Sequence, residues 1–171
     1  MTRTRLLLPA LLAALLAAPA AHAQMQAPQR FTRADSLRGS IGPARAWWDV
    51  AFYDLRVAVN PADSTVRGSN AITYRVLHPA REMQIDLQGL EVDSIVQDGR
   101  TLRWRRDGDA LFVTLEARQA ANAVKTVAVH YHGRPRVARR APWDGGFVWT
   151  RDPAGDPFIA TAVQGLGASA W

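Results

Sequence analysis

Cysteine is absent from the 171 residues. A disulfide framework, a thiolate zinc site and a cysteine nucleophile are therefore all excluded. Lysine is nearly absent: Lys125 stands alone among 21 basic residues, the others being arginine. The formal net charge is +6, but the arginines are scattered along the chain. Nucleic-acid binding wants a basic stripe interleaved with exposed aromatics, so the pattern argues against a nucleic-acid partner. Histidine is scarce, with 4 in the chain. Helical periodicity is almost missing, and no fixed-period repeat is visible, which excludes propellers and solenoids. The balance of 48% hydrophobic and 21% charged residues is that of a globular chain and excludes a disordered tail.

The one long apolar run lies at the start. Arg3 and Arg5 precede Leu6 to Ala18, and Ala21-His22-Ala23 forms a small-x-small site. This is the pattern of a secretory signal peptide over residues 1–23, cut before Gln24. The run is shorter than the roughly 20 apolar residues that a membrane span requires. The expectation is export to a periplasm or the exterior, with no stable membrane anchor after cleavage. Residues 24–45, with Pro28, Gly39, Gly42 and Pro43, read as a polar arm with one helical turn near Asp35–Arg38.

From Trp47-Trp48 onward the hydrophobic period is two. Ala51, Tyr53, Leu55, Val57 and Val59 alternate with Asp54, Arg56 and Asn60. Asn60 to Asp63 is a turn, and Val66, Gly68, Asn70, Ile72, Tyr74 and Val76 line one face of the next strand. Ile85 and Leu87 mark a third strand, and Leu90 to Val96 a fourth. Asp98-Gly99 and Asp107-Gly108 each separate alternating runs and predict type I′ hairpins. Leu111, Val113 and Leu115 share one face; Val127, Val129 and Tyr131 share another. Phe147 to Trp149 and Phe158 to Val163 complete the set. The predicted fold is all-β, an antiparallel saddle or sandwich of about eight strands, over residues 46–171.

No catalytic constellation accompanies these strands. His130 and His132 lie two apart on one strand and face one side, but no carboxylate stands nearby in sequence to complete a metal shell. There is no H-E-x-x-H and no G-x-S-x-G elbow; Ser169 sits in a weak echo of the latter without a local histidine. Gly165-Leu166-Gly167 follows a strand but lacks the third glycine or lysine of a phosphate loop. The carboxylates Asp86, Glu91, Asp93, Asp107, Asp109 and Glu116 fall at hairpin edges and turns. Trp47, Trp48, Trp104, Trp143 and Trp149 can serve core packing or a sugar-binding platform. Read alone, the residues describe an exported β-domain with no catalytic residue and no metal ligand set of its own.

The last third carries a resemblance. Tyr131 to Pro135, Ala141 to Trp149 and Phe158 to Trp171 resemble the aminopeptidase N family of zinc metallopeptidases, the gluzincins, in its exported bacterial branch. Trp47 to Val50, Phe52 to Leu55 and Val66-Arg67-Gly68 resemble the opening strands of that family's N-terminal domain. The resemblance implies an N-terminal domain that packs on a catalytic domain of the same polypeptide and forms one wall of a peptide-binding cleft. It matches Gln164 to a glutamine that shapes the pocket for the substrate's N-terminal residue, within the segment Gln164, Gly165, Leu166 and Gly167. Leu166 stands where many members carry an acid for the free α-amine. The family's zinc ligands and catalytic glutamate have no counterpart in this chain, so zinc is expected only in the parent enzyme. An ending on Trp171 after a glycine-rich turn reads as a truncated sequence. The alternative is a free-standing secreted β-sandwich that binds carbohydrate or protein.

Overall fold

The computed structural model describes residues 30–164. Among these residues, ten strands and one short helix follow in chain order: α1 (Arg33–Gly39), β1 (Trp48–Asn60), β2 (Thr65–Val76), β3 (Glu82–Asp86), β4 (Glu91–Gln97), β5 (Arg100–Thr101), β6 (Arg103–Asp107), β7 (Ala110–Thr114), β8 (Val124–Gly133), β9 (Phe147–Arg151) and β10 (Pro157–Thr161). They form a five-stranded sheet in the order β1-β2-β8-β4-β5, a three-stranded sheet β3-β7-β6 and a two-stranded sheet β10-β9. All strand pairs are antiparallel. The expected all-β sandwich is what forms.

The period of two decides which residues meet. Ile72, Tyr74 and Val76 of β2, Val127 and Val129 of β8 and Ile95 of β4 face Met83, Ile85, Leu111 and Val113 from the three-stranded sheet in one buried cluster. Tyr74 lies at its centre, with the rings of Trp47 and Trp48 edge-on to it, each at 5.8 Å. Its hydroxyl accepts a hydrogen bond from Gln97 Nε2 at 2.9 Å, so the polar end of a buried ring is satisfied.

The chain crosses between the sheets at one residue. β5 still pairs with β4, and β6 already pairs with β7. Between them Leu102 is buried at 3% exposure and its N–H donates to Ile95 O at 2.8 Å. A side chain that prefers the core thus turns the corner while its backbone stays paired.

Several sequence expectations are corrected here. The even alternation from Ala51 to Tyr53 is broken, because a bulge between Val50 and Phe52 takes Ala51 out of register with β2. The extra residue flips the alternation. Asp98 and Gly99 both have positive φ, 50° and 76°, the mark of the expected type I′ turn. The second hairpin differs: Asp107 pairs with Ala110, the turn residues are Gly108 and Asp109, and only Gly108 has positive φ. That is the type II′ pattern, with glycine first. Asp107 stays in the strand, where its carboxylate accepts from Arg33 at 2.6 Å.

β7 is buried on both faces, not one. Its second face is covered by the arm. Ala44 and Leu37 pack with Ala110 and Phe112. Gln84 N–H donates to Ala44 O at 2.9 Å, and Gln84 Nε2 donates to Leu37 O at 3.0 Å. Helix α1 begins in a capping box in which Asp35 N–H donates to Thr32 Oγ1 and Thr32 N–H donates to Asp35.

Candidate functional site

The five-stranded sheet is longer than the sheet that covers it. By register, Tyr53, Leu55, Val57 and Val59 of β1 lie opposite Ile72, Asn70, Gly68 and Val66. They therefore extend the core-facing surface, yet Tyr53 remains 54% exposed and Val57 38%. Among the described residues this half of the sheet is only partly covered. Leu55, Val57, Val66, Tyr131, Leu87 and Phe147 line a hollow of about 140 Å³ there. Asn70, at its wall, holds a buried Oδ1 with no hydrogen-bond partner among the described residues.

Phe147 reaches that hollow from β9. Its ring stacks on Trp149 at 5.5 Å. The strand is fastened to the preceding loop: Phe147 N–H donates to Arg136 O at 2.7 Å, and Ala138 N–H donates to Phe147 O at 3.0 Å. Gly146 is required at this crossing. Its φ is 113°, and an added Cβ would stand 2.6 Å from Arg136 O, so no larger residue fits. Asp144 organises the same loop, accepting from Arg139 N–H at 2.8 Å and Arg140 N–H at 2.9 Å. Desolvation pushes the Asp144 carboxyl up, but the backbone N–H groups of Arg139, Arg140 and Asp144 itself, with the charge of Arg136, outweigh it and hold the group below its ordinary value.

β10 returns antiparallel to β9, and Thr161 Oγ1 donates to Gly146 O at 3.2 Å. Gln164 follows. Its N–H donates to Pro142 O at 3.1 Å, and the residue is exposed. The expected substrate-binding segment thus has its first residue tied to the Pro142–Gly146 loop. Gly165, Leu166 and Gly167 lie outside the described residues, as do Ser169 and Trp171.

His132 has a partner that sequence spacing hides. Its Nδ1 stands 2.6 Å from Asp93 Oδ1, although 39 positions separate them. A bulge between Val92 and Ser94 places the aspartate there. His130 lies opposite Ser94 and Ser69. Among the described residues no three His, Asp or Glu side chains are grouped to hold a metal. The donor set of the described residues does not fit a catalytic zinc.

The tryptophans are distributed over separate elements. Trp47 and Trp48 belong to the core, with Nε1–H donated to Glu82 O at 2.6 Å and Ala44 O at 3.1 Å. Trp104 lies on edge strand β6, Trp149 stacks on Phe147, and Trp143 is exposed in the loop after Pro142. The structure gives them no common platform.

No family model matches the chain, and no curated protein matches it. Solved structures do. An M1 zinc metallopeptidase from Deinococcus radiodurans, bound to a Tyr-Ser-Ala substrate, superposes with a TM-score of 0.53 at 20% identity, over 66% of this chain and 28% of that one. A two-domain M1 zinc metallopeptidase bound to L-arginine gives 0.52 at 20% identity, with the same coverage of 66% and 28%. Native leukotriene A4 hydrolase from Saccharomyces cerevisiae gives 0.56 at 17% identity, over 73% of this chain and 20% of that one. The chain thus spans less than a third of the length of each. At these identities the likeness is one of fold: the chain has the all-β architecture found within M1 zinc metallopeptidase and leukotriene A4 hydrolase structures.

Proposed function

We propose that this chain is the N-terminal, non-catalytic β-domain of an exported zinc aminopeptidase, with residues 1–23 as its signal peptide. The observation that carries the reading is the open apolar half of the five-stranded sheet, in a fold shared with two-domain M1 peptidases. Tyr53, Leu55, Val57 and Val59 continue a core-facing surface that the described residues leave open, and a patch of this kind marks an interaction site. The two-stranded sheet β10-β9 beside it is also marginal without further packing. Both features suit a domain that is completed by more polypeptide, here the catalytic domain.

In this reading Gln164, held at its backbone by Pro142, starts the segment Gln164 to Gly167 that forms part of the cleft wall. The substrate is a peptide with a free N-terminus. Zinc, when bound by the catalytic domain, polarises the scissile carbonyl and activates water. This chain's own residues only bound and shape the cleft.

The test is an assay of the longest exported polypeptide that carries this chain, with aminoacyl anilide substrates. Zinc-dependent release of the N-terminal residue is expected. Gln164→Ala should raise KM about threefold to tenfold with little change in kcat, the pattern of a lost binding contact. A polypeptide with no peptidase activity in the presence of zinc would refute the reading.

A further inference from the structure

β1 is the edge of the five-stranded sheet, and one side of its backbone is unpaired among the described residues. The carbonyl oxygen of Arg56 is turned toward β2, since it stands 2.2 Å from where a Cβ on Gly68 would be. In an antiparallel ladder, N–H and C=O of one residue point the same way and alternate along the strand. The N–H and C=O of Leu55 therefore face the free edge. A long, exposed, apolar edge strand is a template for pairing with another strand.

We propose that the occupant is a second copy of β1, paired antiparallel about a two-fold axis midway between the two copies of Leu55. A two-fold axis normal to the sheet keeps the same face up in both copies, so opposite residues share a face and the axis must pass midway between the two copies of one residue. Centred on Leu55, Asp54 lies opposite Arg56 of the second copy, and Arg56 opposite its Asp54. Leu55 meets Leu55, Tyr53 meets Val57 and Phe52 meets Ala58. Every opposed pair is apolar with apolar or anion with cation. Centring on Asp54 or Arg56 would oppose like charges. Centring on Tyr53 would set both charges opposite apolar residues, and centring on Val57 would set Arg56 opposite Ala58 and Asp54 opposite Asn60. Leu55 is the only centre between Tyr53 and Val57 that gives opposite-charge pairs. Arg56 and Asp54 already lie 3.3 Å apart along the strand, so pairing would join two such couples into a four-charge cluster on one face. On the other face the Tyr53–Val57 pairs bring together aromatic and β-branched side chains, a favourable cross-strand combination. The bulge at Ala51 ends the ladder on one side. The result is a continuous sheet across two copies. It uses the in-plane edge of β1 and leaves the open apolar face, on which the functional reading rests, free for other contacts.

The test is sedimentation of the full exported chain across a wide concentration range, with four variants. The wild type should sediment as a concentration-dependent dimer. Asp54→Arg and Arg56→Asp should each weaken dimerisation about tenfold, because each turns two attractive pairs into repulsive ones. The double exchange Asp54→Arg with Arg56→Asp should restore the wild-type constant to within about threefold, since it keeps every pair opposite in sign. Leu55→Pro should abolish the dimer while leaving circular dichroism unchanged, because the lost N–H faces the free edge. A wild type that stays monomeric, single variants without effect, or a double exchange that fails to restore the dimer would each overturn the proposal. Peptidase activity, measured in parallel, reports on the functional reading separately.

Discussion

Gly68 shows how much one missing side chain can decide. An added Cβ would stand 2.2 Å from Arg56 O and 3.0 Å from the Tyr131 hydroxyl, so β1 can lie against β2 only because nothing projects there. Gly68→Ala should destabilise the domain by about 1–3 kcal/mol through overpacking, read as a lowered denaturation midpoint at unchanged m-value. Tyr74→Phe tests a different cause. It keeps the ring between Trp47 and Trp48 but leaves Gln97, 5% exposed, without its acceptor. A cost of about 1–3 kcal/mol is expected, the penalty for stranding a buried donor. Chemical denaturation of wild type, Tyr74→Phe and the Tyr74→Phe, Gln97→Leu double variant separates the two contributions: the double variant should regain part of the loss. Desolvation pushes the Tyr74 hydroxyl pKa up against the smaller, opposing effect of the Gln97 hydrogen bond, which agrees with a ring held inside the core.

Among the elements, the arm depends most on charge. Arg33 pairs with Asp107 at 2.6 Å, and Asp35 closes the cap of α1. The Asp107 carboxyl is held below its ordinary value, chiefly by the hydrogen bond from Arg33. Asp35 is lowered chiefly by its side-chain hydrogen bond with Thr32, and Arg33 is raised by its hydrogen bond to Asp107. A carboxyl lowered in the folded state contributes stability that is present above its unfolded value and is lost as pH falls through the folded value. The arm should therefore stay docked at neutral pH and release below the ordinary carboxylate range. Hydrogen exchange of residues 33–45 against pH should show a transition there, and Asp107→Asn should already exchange faster at neutral pH. If the arm stayed protected in acid, these charges would not be what holds it. The corner at Leu102 is the other element-level dependency. Leu102→Ala should cost about 2–5 kcal/mol as a buried large-to-small change, and thermal unfolding would register it.

For the whole molecule, the uneven lengths of the two main sheets matter most. The three-stranded sheet covers half of the large one, and that half holds the buried cluster. Leu111→Ala, inside it, should cost about 2–5 kcal/mol. Val57→Ser, on the open half, should cost less than about 1 kcal/mol in this chain alone, and should weaken association with any domain that covers the face. Equal losses at both positions, measured by denaturation, would mean that the open half is covered after all. Much of this architecture was legible beforehand. Alternation of apolar and polar residues marked β1, β2 and β8, because a strand's faces follow from spacing alone. Asp98-Gly99 announced its hairpin, because a type I′ turn needs two residues at positive φ. Asp93 beside His132 was not legible, and neither were the bulges at Ala51 and Asp93, the arm over Phe112, or the turn that starts at Gly108. Most of these depend on a partner many positions away, and a bulge has no composition of its own. Of the candidate site, the sequence pointed to Gln164 through a resemblance, and the fold tied its backbone to Pro142. The sequence by itself determined that the chain is β-structured, because periodicity and turn chemistry are local. Only the tertiary structure decided which apolar residues become core and which remain an open face. Burial depends on how far one sheet reaches across another, and no single strand encodes that distance.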